Sequence, residues 1–448
     1  MNIKSNGWAL WPLLVFLGLF FGAGVYFTAH GEAMGFYTLR APVAILPALV
    51  LAAWIARRRG VDATERLLAG MGDGNVMLMC LIFLLAGAFA AVTQAVGAVD
   101  AVVGLALGHL PSGWVLPGLF LIAGFVSLAI GSSMGTLAAV VPIALGVADA
   151  TGLPVPLVVA SVIGGAMLGD NLSVVSDTTI AATRTQGAEM RDKFRENVKI
   201  ALPAALLVIV LLAVLGRGHG DVVLPPSASP WLVVPYLVVL GLAIAGVNVL
   251  VVLGSGIVLA AVFGYFFGAE GYGVVRWASD IYSGFENMVE ITLLSILIGG
   301  LAELTRASGG LAWVSAQVAR FARGHAGPRS GEASIAALST VTDVFTANNT
   351  VAILISGSLA RDIAERHGVS PRRSASMLDI FSCVTQGLIP WGAQILLAAS
   401  LAKLSPLDIA GQVYYCWVLG AVAIVFIAMP RRSTPEVARE MNASPRVT

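Results

Sequence analysis

Gly169-Asp170-Asn171-Leu172-Ser173-Val174-Val175-Ser176-Asp177-Thr178-Thr179 follows directly on the apolar run 155–168. Eleven residues hold two acids, one amide and four hydroxyls. The run before them reads as embedded in a bilayer. An ionised Asp at a bilayer centre costs about 2.5–3.5 kcal/mol on insertion scales. Carboxylates retained there beside hydroxyls are what a hard cation or a proton needs, because both bind oxygen. The structural alternative is a surface acid that caps a helix, for which Ser-Asp-Thr-Thr is suitable chemistry. A broken helix needs caps as well, so the two readings are compatible.

Composition supports the bilayer. Of 448 residues 58% are hydrophobic and only 11% are charged, against about 25% charged in a soluble domain. The net charge of +1 gives no basis for nucleic-acid binding. Cys80, Cys383 and Cys416 lie in apolar runs without metal-ligand spacing and read as small core residues. The run 8–29 is too long for a signal-peptide core and reads as the first transmembrane helix.

Spans of about 20 residues are expected at 8–30, 38–56, 75–97, 114–130, 196–216, 231–245, 248–268, 284–305 and 412–430. Residues 131–180 and 333–403 hold apolar pieces of about 12–16 residues, cut by Gly, Pro, Ser, Thr, Asn and Asp. Such pieces suggest re-entrant hairpins or broken helices lining a cavity. The fold class expected is an all-α polytopic membrane protein with about 10–12 transmembrane segments. Lys and Arg concentrate at Arg57–Arg59, at Arg184, Arg191, Lys193 and Arg195, and at Arg431–Arg432. The positive-inside rule puts all three clusters in the cytoplasm, with a polar C-terminal tail. The stretch 184–199 also carries Glu189, Asp192 and Glu196, and reads as a solvated connector.

An internal repeat is visible. Placing Asn75 on Asn287, an offset of 212, gives eight identities over positions 75–99: Asn75, Leu81, Leu85, Gly87, Ala90, Thr93, Ala95 and Gly97 meet the same residue types in the second half. A polar break follows each segment, 131–136 in one half and 346–350 in the other. A Gly-Pro turn and a second polar element come next in both halves. Matching broken segments in two halves point to the binding site of a secondary transporter. The division expected is N-terminal helices 1–69, first repeat 70–200, connecting helices 201–280, second repeat 281–430 and tail 431–448. The span count leaves the relative orientation open, and inverted repeats are common in such folds.

Candidate site residues follow. Asp170 and Asp177 would hold sodium. Asp343 stands as the matching acid of the second half, with Asn348, Asn349 and Thr350 close in sequence. Amides can serve a cation, an anion or free backbone. Ser132, Ser133 and Thr136 occupy the equivalent break in the first half, where a hydroxyl can also bond back to its own helix. Thr385 and Gln386 begin the second polar element of the second half. Glu286, Glu290 and Glu303 are weaker candidates, and Glu303 can pair with Arg306 at i,i+3. Gly70-Met71-Gly72-Asp73 matches the short Gly-x-Gly-Asp string of intramembrane aspartyl proteases. However, the preceding span lacks the second Asp, and Asp73 stands where a helix cap belongs. There is no zinc-protease motif and no Walker A loop.

The stretch 169–179, with its Gly-Asp-x-x-Ser-x-x-Ser-Asp-Thr-Thr pattern, resembles the NhaC-type sodium/proton antiporter family. Leu388-Ile389-Pro390-Trp391 is similar to that family's Ile-Pro-Trp element, and the likeness spans most of 70–430. The resemblance implicates Asp170, Ser173, Ser176, Asp177, Thr178, Thr179, Pro390 and Trp391. It implies two inverted repeats with re-entrant hairpins, often in a homodimer embedded in the lipid of the cell's inner membrane. It also implies transported Na+ and H+ and no bound cofactor. Members commonly carry Lys where this chain has Asn171. Relatives include exchangers of organic acids such as malate and lactate.

The mechanism expected is competition of sodium and a proton for Asp170 or Asp177. A solvated Asp titrates near pH 3.9 and desolvation can raise that by up to about 3–5 units. A sodium- or proton-coupled carrier of an organic acid or amino acid is the alternative. Its anionic group would sit near Ser132, Ser133, Asn348 and Asn349, at helix N-termini.

Overall fold

The computed structural model of the chain describes residues 5–30, 38–107, 112–173, 176–217, 229–245, 247–268, 271–323 and 327–429. Val174, Val175 and the basic tail with Arg431 and Arg432 lie outside the described residues. Every regular element described is helical. In chain order they are α1 Trp11–Ala29, α2 Ala41–Ala44, α3 Leu46–Arg58, α4 Ala63–Met71, α5 Gly74–Ala95, α6 Ala98–Leu107 and α7 Val115–Ile130. Next come α8 Ser133–Thr151, α9 Val155–Leu172, α10 Asp177–Gln186, α11 Met190–Leu215, α12 Val234–Ile244, α13 Val249–Phe267 and α14 Val274–Ala307. The last are α15 Gly310–Arg323, α16 Pro328–Thr346, α17 Asn349–His367, α18 Pro371–Gln386, α19 Ala393–Ala402, α20 Pro406–Ala410 and α21 Tyr414–Ala428. Among the described residues eight helical stretches are long and apolar enough to cross a membrane, and four shorter apolar helices accompany them.

The breaks between α7 and α8 and between α16 and α17 are built alike. Gly131 closes α7 in the left-handed region, and extended Ser132 caps α8 by accepting the Gly135 N–H at 3.3 Å. Ala347 closes α16 in the same left-handed region at φ 50°, and extended Asn348 caps α17 through the Val351 N–H at 3.0 Å. A single left-handed residue followed by an extended one reverses the chain, so each pair is a hairpin. The helices after the breaks have equal lengths: α8 and α17 both have 19 residues, α10 and α19 both have 10. All four helix starts fall at an offset of 216 residues (Ser133 to Asn349, Asp177 to Ala393). Earlier in each half the offset is 212: Gly97 and Gly309, both left-handed, precede α6 and α15. The second half is therefore four residues longer between these points.

Counterparts α5 and α14 lie against each other and run antiparallel. Gly87 meets Gly284 early in α14, Cys80 meets Thr292, and Gly70 of α4 meets Gly299 later on. The Cys80 thiol donates to the Thr292 carbonyl at 3.8 Å, and these two residues are themselves 212 apart. Equivalent helices crossing in opposite senses at equivalent residues are the arrangement expected of an inverted repeat. Small residues let the backbones touch there, as they do between helices in lipid. A Cβ on Gly284 would sit 2.5 Å from the Gly87 carbonyl and 2.6 Å from two backbone atoms of Ala88. None of these is a side chain that can turn away. Gly284→Ala is therefore expected to cost about 2–3 kcal/mol, seen as a lowered midpoint in detergent thermal unfolding.

Two expectations are corrected. The segments 131–180 and 333–403 are broken as expected but not uniformly into 12–16-residue pieces: α8, α9 and α17 span 19, 18 and 19 residues, while α10, α18 and α19 span 10, 16 and 10. Their hydroxyls bond back to the preceding turn instead of breaking it, as Thr151 does to Val147, Ser161 to Leu157 and Ser356 to Ala352. Nor is 184–199 a solvated connector. α11 begins at Met190, and its register turns Lys193 and Asn197 fully inward while Arg191 and Arg195 face outward.

Candidate functional site

The two hairpin tips meet at one cavity of about 320 Å³. The first half lines it with Ser132, Ser133, Asp170, Asp177 and Thr178, and the second with Asn348, Asn349, Thr350, Gln386 and Gln394. Asn75 at the start of α5 and Asn248 before α13 add two more amides.

Asp170 sits in the last turn of α9 and is only 4% exposed. The α9 end is held tightly, because Gly169 packs against Gly124 and Leu128 of α7. The Ser133 hydroxyl donates to Asp170 Oδ2 at 3.2 Å and the Thr178 hydroxyl to Oδ1 at 3.5 Å. Asp177 opens α10 on the other side of the break and is exposed toward the cavity. Between the two acids Ser176 caps α10 through the Thr179 N–H at 3.2 Å. The Ser176 hydroxyl lies 3.3 Å from the Asp170 carbonyl, and the Thr179 hydroxyl donates to the Ser173 carbonyl at 2.7 Å. Thr179 and Ser173 thus shape the break from behind the cavity.

The halves are joined by a chain of hydrogen bonds. Gln386 Nε2 donates to the Ala347 carbonyl at 3.1 Å and to Gln394 Oε1 at 2.8 Å. Gln394 Nε2 donates to the Ser133 hydroxyl at 3.1 Å, and Ser133 in turn donates to Asp170. By the 216-residue offset Gln386 is the counterpart of Asp170 and Gln394 that of Thr178. Asp343 was the expected partner acid, but in that register it corresponds to Ser127. Asp343 is fully buried, its carboxylate oxygens have no hydrogen-bond partner among the described residues, and it does not line the cavity.

Other candidates have different positions. Thr136 donates back to the Ser132 carbonyl at 3.0 Å and Thr385 to the Phe381 carbonyl at 2.7 Å, so both brace their own helices. Trp391 Nε1 donates to the Val344 carbonyl at 3.0 Å, which ties the link before α19 to α16. Trp391 also borders two neighbouring cavities of about 350 and 790 Å³, and Pro390 lines the larger one. Glu303 pairs with Arg306 at 2.6 Å and with Arg66, and Glu290 pairs with Arg40. Asp73 caps α5 through the Asn75 N–H at 2.9 Å. The Asn171 main-chain carbonyl, rather than its side chain, accepts from two buried polar side chains of α11.

The burial of those side chains was not anticipated. Lys193 of α11 is fully buried, and its Nζ lies 2.7 Å from Asp379 Oδ2, itself fully buried. The same ammonium reaches the Asn171 carbonyl at 3.3 Å and the Thr179 hydroxyl. Asn197, one turn later, donates to that carbonyl at 2.8 Å and to Asp379 Oδ2 at 2.7 Å. The i,i+4 spacing of Lys193 and Asn197 was the available signal. Among the described residues no cluster of three or more His, Cys, Asp or Glu could hold a transition metal. The cavity offers carboxylate, hydroxyl and amide oxygens, the donors that alkali cations prefer.

The chain resembles known proteins along most of its length. A family profile described as the Na+/H+ antiporter family matches residues 11–217 and 222–430. A malate-2H(+)/Na(+)-lactate antiporter of Bacillus subtilis is 22% identical over 93% of this chain and 94% of that protein. The arginine/ornithine antiporter ArcD of Halobacterium salinarum is 24% identical over 80% and 79%. The Na(+)/H(+) antiporter NhaC of Bacillus subtilis is 23% identical over 79% and 83%. Among solved structures, the YdaH transporter of Alcanivorax borkumensis aligns with 14% identity and a TM-score of 0.43, covering 94% of this chain and 98% of that one.

Proposed function

The chain belongs to the Na+/H+ antiporter family, and from that premise we propose that sodium and a proton compete for Asp170 in the cavity between the hairpin tips. The observation that carries this reading is the buried Asp170 carboxylate, with Ser133 and Thr178 hydroxyls on its two oxygens. A carboxylate held away from water is stabilised by one cation at a time, so loading sodium releases the proton and the reverse. Asp177, open to the cavity, attracts the incoming cation and completes its oxygen shell. No covalent step is needed. The carrier moves its hairpins against the α5–α14 scaffold, exposing the site to one side and then the other. The basic clusters at the end of α3 (Arg57, Arg58, Arg59) and around the start of α11 (Arg184, Arg191, Arg195) face the cytoplasm in this reading.

A second reading has its own support. A cavity of about 320 Å³ reaches the size of small-molecule sites and exceeds what one sodium ion needs. Asn75, Asn248, Asn348 and Asn349 supply neutral amides suited to an organic solute. Relatives named as malate/lactate and arginine/ornithine antiporters agree with it. The two readings separate in proteoliposomes carrying an imposed pH gradient. Sodium alone is expected to collapse the gradient, with lithium weaker and potassium inactive. If collapse requires an added dicarboxylate or amino acid, the solute carrier is the right description.

A further inference from the structure

The Lys193–Asp379 pair takes no part in the exchange described above, yet it adjoins the site through the Asn171 carbonyl. All three ammonium protons are placed: on Asp379, on the Asn171 carbonyl and on the Thr179 hydroxyl. Taking two charges out of water costs several kcal/mol per ion, so packing alone does not account for the pair. We propose that Lys193 is a specificity-determining residue, a tethered cation that cancels Asp379 and leaves the site one buried carboxylate, matched to one monovalent ion. This rests on the cation-exchange reading above and adds what sets its charge.

The surroundings make the charge count simple. Asp170 on α9, Asp379 and Cys383 on α18, and Tyr415 and Cys416 on α21 are the titratable groups grouped with Lys193. Asp177 on α10 faces the cavity, and α7 brings no titratable side chain. Glu196 and Arg373 belong to a separate group, with Lys199 and Glu332. With Lys193 on Asp379, the net buried charge is that of Asp170 alone. Without Lys193, Asp379 would be a second buried carboxylate near Asp170 with no cation to cancel it. The site would then hold a proton more tightly and accept a divalent cation.

The test uses full-length protein in proteoliposomes and compares wild type, Lys193→Met, Asp379→Asn and the double variant, each checked for monodispersity. Lys193→Met is expected to shift the pH profile of sodium-dependent exchange to the alkaline side by at least about one unit. Calcium should then inhibit it. Asp379→Asn leaves an unopposed ammonium, so the profile should move the other way and half-saturating sodium should rise about tenfold. The double variant should bring the profile back toward wild type even if its rate stays low. If one single variant fails to fold, the other and the double variant still report opposite or cancelled shifts. Singles that move the profile in the same direction, or a double variant that keeps a single's shift, would overturn the assignment and leave the exchange reading intact. A wild type without exchange would remove both.

Discussion

Asp170→Asn is expected to abolish sodium-driven proton flux while leaving a folded carrier. The amide has the size of the carboxylate and can still accept from Ser133, whose hydroxyl lies 3.2 Å from Oδ2. It cannot bind or release a proton in the working range, nor can it neutralise sodium. Removing one member of a buried, hydrogen-bonded charge pair costs about 2–5 kcal/mol, or about 30-fold or more in occupancy. Asp177→Asn should behave differently. Asp177 is open to the cavity, where screening is stronger, so half-saturating sodium should rise while maximal flux falls little. Flux measured against sodium concentration at several pH values separates the two. If Asp170→Asn retained pH-dependent exchange, the site would have to be sought elsewhere, with the cavity-facing Asp177 first.

Gly169→Ala is expected to be the second large effect, although it changes no chemistry. A Cβ at Gly169 would lie 2.4 Å from the Gly124 carbonyl, 2.5 Å from the Leu128 nitrogen and 2.5 Å from the Ser127 Cβ. Two of these atoms are backbone and cannot move aside, so α9 must withdraw from α7. Overpacking of this kind costs about 1–3 kcal/mol, and its displacement falls on the residue next to Asp170. Loss of exchange by about tenfold should therefore accompany a lowered unfolding midpoint. Gly254→Ala is the control, since a Cβ there would meet nothing within 4 Å. A Gly169→Ala protein with normal flux would mean that the position of Asp170 matters less than its charge.

The features legible in the sequence were those set by local chemistry. The breaks at Gly131-Ser132 and Ala347-Asn348, the Asp73 cap and the Glu303–Arg306 pair depend on near neighbours, and a reading of near neighbours finds them. The correspondence of α5 with α14 was also visible, because Gly97 and Gly309 mark the same turn, but their packing against each other was not. What was hidden depended on packing. Lys193 lies among Arg191, Asp192 and Arg195, and such a charge run reads as solvated. Only the helical face of α11 separates the buried members from the exposed ones. Gln386 was legible from its polar element but not as the counterpart of Asp170, and Gln394 was hidden, because the offset of 212 sets Ser382 opposite Asp170 and only the four-residue lengthening of the second half brings Gln386 there. Asp343 reads as the matching acid because it is an acid close to the polar break of the second half, whereas the place of Asp170 is filled there by an amide. A carboxylate in one half facing an amide in the other is what distinguishes two pieces of common plan that have divided their labour.

The bond chain from Asp170 through Ser133 and Gln394 to Gln386 has a bearing on leakage. An empty carrier would have to drag a bare anion, fastened to both arms, through the oily middle of the bilayer, at a penalty of several kcal/mol. In the proposed exchange the return stroke without cargo is therefore slow, so that each crossing in one direction obliges a crossing in the other. Tight stoichiometry then needs no separate gate.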